Sequence, residues 1–84
     1  MPTIDDILDS FVAVSGPSDI PGTAEELRSR QLSELGYDSL AILGCSADLE
    51  ERFKIKLDDD LAATCRTLDD MLKAVLNAPK QDSH

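Results

Sequence analysis

The 84-residue chain has no tryptophan, one tyrosine, two phenylalanines, four glycines, four prolines, two cysteines and a single histidine. Each shortage closes a class of function. A general base steadied by a third group needs a fixed imidazole, and His84 stands at the last position, where chain ends are least constrained. Triads of the Ser-His-Asp or Cys-His kind are therefore excluded. Cys45 and Cys65 have neither zinc-ligand spacing nor a CxxC pair. Their apolar helical contexts make them buried, inert thiols, and a disulfide between them is unexpected in a reducing compartment. There is no glycine-rich phosphate loop, and Asp58-Asp59-Asp60 lacks the D-x-D-x-D-G loop and closing glutamate of a calcium hand. No apolar run approaches the roughly 18 residues of a membrane span. The opening MPTIDDILDS has no basic n-region and places acids where a signal peptide needs an apolar stretch. The expectation is a metal-free, cytoplasmic protein that is not an enzyme.

Bases are the other shortage. Eight Lys and Arg face seventeen Asp and Glu, for a formal net charge of −9. Nucleic-acid binding requires a basic surface to displace counterions, and an anionic membrane would repel this chain, so both partners are excluded. Acidity of this size steers a protein toward basic partners, or simply keeps a small domain in solution. What the chain does have is 42% apolar and 30% charged residues, the balance of one small globular domain.

The apolar residues fall at helical spacing. Ile4, Ile7, Leu8, Phe11 and Val12 form one face of a first helix, with Thr3 as N-cap, Asp6 at the capping-box position and Ser15-Gly16-Pro17 as the stop. A long loop follows to about Tyr37, containing a second capping box, Thr23 to Glu26. Its sparse apolar residues Ala24, Leu27, Leu32 and Leu35 predict a packed-down connection with a short helical piece. Gly36 permits a turn and Asp38 caps a second main helix, with Ser39 at its first position, running to Phe53. Its apolar stripe reads Leu40, Leu43, Ala47 and Phe53, with Ile42 and Leu49 beside it, and Gly44 interrupts it. Lys54-Ile55-Lys56-Leu57 alternates like a strand but has no second strand to pair with, so it is expected as extended loop burying Ile55 and Leu57. Asp58 to Asp60 offer caps to a short helix around 61–63. Thr67, with Asp70 at the capping-box position, starts a last helix whose face is Leu68, Met71, Leu72, Val75 and Leu76. Asn77-Ala78-Pro79 ends it. The expected fold is all-α: a four-helix bundle of three main helices and one short one, in a single domain over 1–79, with 80–84 a disordered tail.

One segment carries chemistry: Leu35-Gly36-Tyr37-Asp38-Ser39-Leu40. It sets a serine hydroxyl at a helix N-terminus, where backbone N–H groups and the helix dipole favour a negative group. Taken alone, Asp-Ser-Leu at a helix start is ordinary capping chemistry. In an acidic chain of this length and helix order, however, Leu-Gly-x-Asp-Ser-Leu resembles the acyl carrier proteins. The resemblance extends over nearly the whole chain. It implies an acyl-carrier-like bundle in which Ser39 receives a 4′-phosphopantetheine arm from coenzyme A, and a carrier whose arm holds acyl groups as thioesters. Aspartate before the serine favours acyl over peptidyl carriers. Gly36-Tyr37-Asp38-Ser39-Leu40-Ala41 is similar to the discrete carriers of bacterial type II polyketide synthases, where fatty-acid carriers more often have a small residue for Tyr37 and an acid for Ala41. The stretch Thr64 to Leu68 sits comfortably with the same group.

By that resemblance the partners are a phosphopantetheinyl transferase, a ketosynthase with its chain-length factor, and malonyl-loading and tailoring enzymes, all meeting a monomer. The contact residues implied are Asp38, Leu40, Leu43, Asp48, Glu50 and Glu51. Many relatives have an acid five residues after the serine; Gly44 stands there in this chain, which reduces the acidic patch and shifts more of it onto Asp48, Glu50 and Glu51. Tyr37 either shields the base of the arm or staples the loop. With few aromatics and a small core, only a shallow groove between the second main, short and last helices is expected. The alternatives are a fatty-acid carrier, an aminoacyl or peptidyl carrier, and an acidic protein-binding module.

Overall fold

A computed structural model describes residues 1–81. Five helices follow in order: α1 Ile4–Ser15, α2 Ala24–Leu27, α3 Ser39–Phe53, α4 Leu61–Thr64 and α5 Leu68–Asn77. Among the described residues there is no strand, only two isolated bridges. The all-α bundle of three main helices is thus as expected, and α2 is the short piece foreseen inside the loop.

The caps explain the starts. Thr3 Oγ1 accepts from the Asp6 N–H at 3.3 Å while the Asp6 carboxylate accepts from the Thr3 N–H at 2.9 Å. Thr23 and Glu26 repeat this reciprocal pair at 3.2 and 2.9 Å. Because the Glu26 carboxylate accepts from the Thr23 backbone, its pKa is held below the usual value. At α5 only half of the box forms. Thr67 accepts from the Asp70 N–H, but the Asp70 carboxylate reaches one residue further back, to the Arg66 N–H at 2.9 Å. The aspartates before α4 do not cap as expected: Asp60 occupies the N-cap position without a side-chain hydrogen bond, its φ/ψ of −88°/8° lying outside the extended backbone that capping uses.

α1 packs on α3 and α5, α2 lies against α1, and α4 lies against α3. Ile7, Phe11, Leu35, Leu49, Leu68 and Met71 are fully enclosed. The loop residues Ala24, Leu27, Leu32 and Leu35 are all buried, so the long connection is packed down along its length. It is also fastened to the far end of the chain. The Leu32 N–H donates to the Arg66 carbonyl at 2.7 Å, Gln31 bridges Thr67, and the Arg28 guanidinium reaches Asp69 at 2.8 Å.

Three expectations need correction. The buried face of α3 is Ala41, Ile42, Cys45, Ser46 and Leu49, whereas Leu40, Leu43 and Ala47 face outward. Two apolar stripes compete on this helix, and contact with α1 decides between them: Ser10, buried on α1, donates to Asp48 of α3, and Gly44 lies beside Val14. Second, the alternating stretch after α3 does find a partner. Ile55 bridges Lys80, with Lys56 N–H to Pro79 carbonyl and Gln81 N–H to Lys54 carbonyl, both at 2.9 Å. Ile55 and Leu57 are buried as expected. Third, Lys80 and Gln81, which fall in the segment expected as a disordered tail, take part in this pairing, and the Gln81 amide donates to the Ile55 carbonyl. The rest of that expectation, with His84, lies outside the described residues.

Candidate functional site

The site is built on a change of direction between the loop and α3. Gly36 has φ +88°, a backbone conformation that favours glycine, and a Cβ there would also press on the Asp19 carboxylate. The next residue is pulled inward. Tyr37 is 3% exposed and stacks on Phe11 with ring centroids 4.6 Å apart. Its hydroxyl donates to the Gly16 carbonyl at 2.9 Å, and burial pushes its pKa up. Of the two roles open to Tyr37, stapling the loop to the end of α1 is the one this geometry performs.

Asp38 follows with extended backbone, and its Oδ1 accepts from the Ala41 N–H at 3.0 Å. Cap and start are as expected. Ser39 is the first residue of α3 and is exposed, so its hydroxyl stands in solvent at the positive end of a 15-residue helix. An anion attached there is favoured by the dipole and adds no buried charge. A covalent phosphodiester fits this position. Leu40, 77% exposed, and Leu43, 45% exposed, continue outward from it.

Beside Ser39 lies an open groove of about 240 Å³, lined by Gln31, Leu32, Ser33, Tyr37, Asp38, Ser39, Ile42, Cys65 and Arg66. It is not the groove expected among the second main, short and last helices, a place where a separate opening is lined by Leu57, Leu61, Ala74 and Asn77. The loop before α3 and the link between α4 and α5 form the groove beside Ser39, because the Leu32–Arg66 and Gln31–Thr67 pairings bring these segments together. Gln31, Ser33 and Arg66 are the groove residues that sequence reasoning missed. Nothing local marks them; the only hint is a base inside the singled-out stretch Thr64 to Leu68.

The acids on α3 divide. Asp48 is occupied inside the protein, accepting from Ser10 and pairing with Arg52 at 3.2 Å. Glu50 is partly buried and accepts from the Leu57 N–H at 2.8 Å, which fixes the loop after α3. Glu51 alone of the three is exposed. The structure thus assembles Asp38, Ser39, Leu40 and Leu43 on one surface and gives Asp48 and Glu50 work within the fold. Cys45 and Cys65 are both buried and unpaired. Burial pushes the Cys45 thiol up to about 12 and that of Cys65 upward as well, so neither supplies a thiolate at neutral pH. Among the described residues no group of three or more His, Cys, Asp or Glu could hold a metal ion, and no helix is long and apolar enough to cross a membrane.

An exposed serine opening a long helix beneath an aspartate cap, in a small acidic α bundle, defines an attachment domain. Residues 18–75 match the family described as phosphopantetheine attachment site, and the chain belongs to that family. Within it, the chain is similar to the actinorhodin polyketide synthase acyl carrier protein of Streptomyces coelicolor, at 29% identity over 76 residues, covering 90% of this chain and 88% of that one. Solution structures of that Streptomyces coelicolor carrier superpose closely. The acetyl form gives a TM-score of 0.79 at 28% identity, covering 92% of this chain and 90% of the other. The 3,7-dioxo-octyl form gives 0.77 at 29%, covering 90% and 88%. The acyl-carrier fold and the phosphopantetheine cofactor follow directly.

Proposed function

We propose that this chain is the acyl carrier of a type II polyketide synthase, with its 4′-phosphopantetheine arm on Ser39. The observation that carries the reading is the placement of Ser39: an exposed hydroxyl at the first position of α3, inside the segment matched by the attachment family. When attached, the arm supplies a terminal thiol that holds acyl groups as thioesters. The protein's own part is to present that attachment point and to catalyse nothing. Tyr37 and Gly36 set the direction of the helix start, Asp38 caps it, and α3 turns Leu40 and Leu43 outward beside it.

Tethering makes each meeting of intermediate and enzyme a local event at high effective concentration. The net charge of −9 steers the carrier to basic docking faces through weak contacts that release quickly. The partners are a phosphopantetheinyl transferase that moves the arm from coenzyme A, a ketosynthase with its chain-length factor, and malonyl-loading and tailoring enzymes. The carrier works as a cytoplasmic monomer. For docking, Leu40, Leu43, Asp38 and Glu51 are the residues the geometry leaves available; Asp48 and Glu50 contribute only through the shape they maintain. Polyketide rather than fatty-acid synthesis is favoured by Tyr37, by Ala41 and by the likeness to the actinorhodin carrier.

The test is intact-protein mass spectrometry after incubation with coenzyme A, magnesium and a broad-specificity transferase, followed by peptide mapping. One phosphopantetheinyl addition on the Ser39 peptide is expected, and none in Ser39→Ala, which keeps the native fold because the hydroxyl is exposed. Modification of Ser39→Ala, or no modification of a folded wild-type chain, overturns the assignment. The second outcome turns attention to an acidic binding module.

A further inference from the structure

Resting on arm attachment at Ser39, a further residue can be given a role. Arg66 is the single base among the residues lining the groove next to Ser39, and Asp38 is the single acid. Arg28, Arg30 and Arg52 are engaged with acids of their own: Glu25 and Asp69, Glu34, and Asp48 respectively. Among the described residues the Arg66 guanidinium makes no ion pair, yet the backbone at Arg66 is held from two sides. Its N–H donates to the Asp70 carboxylate at 2.9 Å and its carbonyl accepts from the Leu32 N–H at 2.7 Å. A positive side chain is thus rooted at a fixed point on the groove wall.

A phosphodiester on the Ser39 hydroxyl is a permanent anion placed beside the Asp38 carboxylate, in a chain already at −9. The dipole of α3 offsets part of that repulsion. A guanidinium offset is of another kind, because its planar fork matches two phosphate oxygens at once. Gln31 and Ser33 line the same groove and add neutral donors.

We propose that Arg66, flanked by Gln31 and Ser33, is the counter-ion of the arm's phosphodiester and seats the near end of the arm in this groove. Its role is to position the arm and not to react. The sequence gives no local sign of it, since Arg66 joins the groove that Ser39 lines only through the pairing of the first loop with the link between α4 and α5.

The experiment compares the unmodified chain with the arm-bearing protein, in wild type, Arg66→Gln and Arg66→Lys, using phosphorus NMR and the Arg66 Nε–Hε correlation. Mass mapping first establishes one arm on Ser39; its absence refutes the attachment itself and is recognised before any spectrum is taken. With the arm in place, loading is expected to shift the Arg66 Nε–Hε signal and slow its exchange with water. Arg66→Gln is expected to move the phosphorus signal and narrow it as the anion regains freedom. Arg66→Lys, a point charge without the fork, falls between. In wild type, about 1 M salt, where the screening length is roughly 3 Å, drives the phosphorus signal toward its Arg66→Gln position. An Arg66 signal unmoved by loading, or a phosphorus signal identical in wild type and a folded Arg66→Gln, overturns the proposal. Both variants keep the fold's contacts at this position, which are made by backbone.

Discussion

Leu35 and Tyr37 stand directly before residues 38–40 in one motif, and the two sets meet opposite environments. Leu35 and Tyr37 are enclosed in the core, while Asp38, Ser39 and Leu40 stand in solvent. The division falls at the Asp38 cap, where extended backbone gives way to helix. The inner half therefore fixes where the outer half sits. A presented serine does not need a rigid surface of its own; it needs one buried neighbour held on three sides, here by the Phe11 ring, the Gly16 carbonyl and the Gly36 turn.

That contrast can be broken from within. Phe11→Ala removes the fully buried ring under Tyr37 and should cost about 3–5 kcal/mol, seen as an early urea midpoint by circular dichroism. Tyr37→Phe keeps the stack and deletes the bond to Gly16, for a loss of about 1 kcal/mol in the same measurement. A loss as large as that of Phe11→Ala would mean that the hydroxyl, not the ring, is the anchor. Gly44→Ala tests the contact between α3 and α1. An added Cβ meets Val14 at an ordinary 3.5 Å, so the gain in helix propensity should appear as roughly 0.5–1 kcal/mol of extra stability. Destabilisation there would show that the closeness of α1 and α3 depends on the missing side chain. Smallest of all, Leu40→Ala should leave stability within about 0.5 kcal/mol, because the side chain is already in water. The same variant should be a poorer substrate for a basic transferase, read as a raised KM; unchanged kinetics would remove Leu40 from the docking surface.

Much of this was legible in the sequence. Thr3 with Asp6 and Thr23 with Glu26 are pairs three residues apart, and local chemistry decides such pairs wherever the chain goes. The core faces of α1 and α5 were legible in outline from spacing, although Val12 and Leu76, at the edges of those stripes, stay largely exposed. α3 was harder. Its apolar residues fill two stripes, and the choice is made by α1, through Ser10 on Asp48 and Val14 on Gly44, across about thirty or more positions of chain. The pairing of Lys54–Lys56 with Pro79–Gln81 escaped for a related reason: a single bridge has no run of alternating residues on its second side to announce it. The proposed attachment point, Ser39, is legible because its chemistry is local, an exposed hydroxyl opening a capped helix. The groove beside it is not, because one of its sides comes from the distant Cys65 and Arg66.

The fastening of the first loop to residues 66–69 also bears on how the protein folds. Arg28, Gln31 and Leu32 meet Asp69, Thr67 and Arg66 across the whole of α3 and α4. Contacts between segments so far apart in sequence are rewarded only after loop-closure entropy has been paid, so they form later than the local caps. The trough beside Ser39 therefore gains its second bank only when this distant pairing closes.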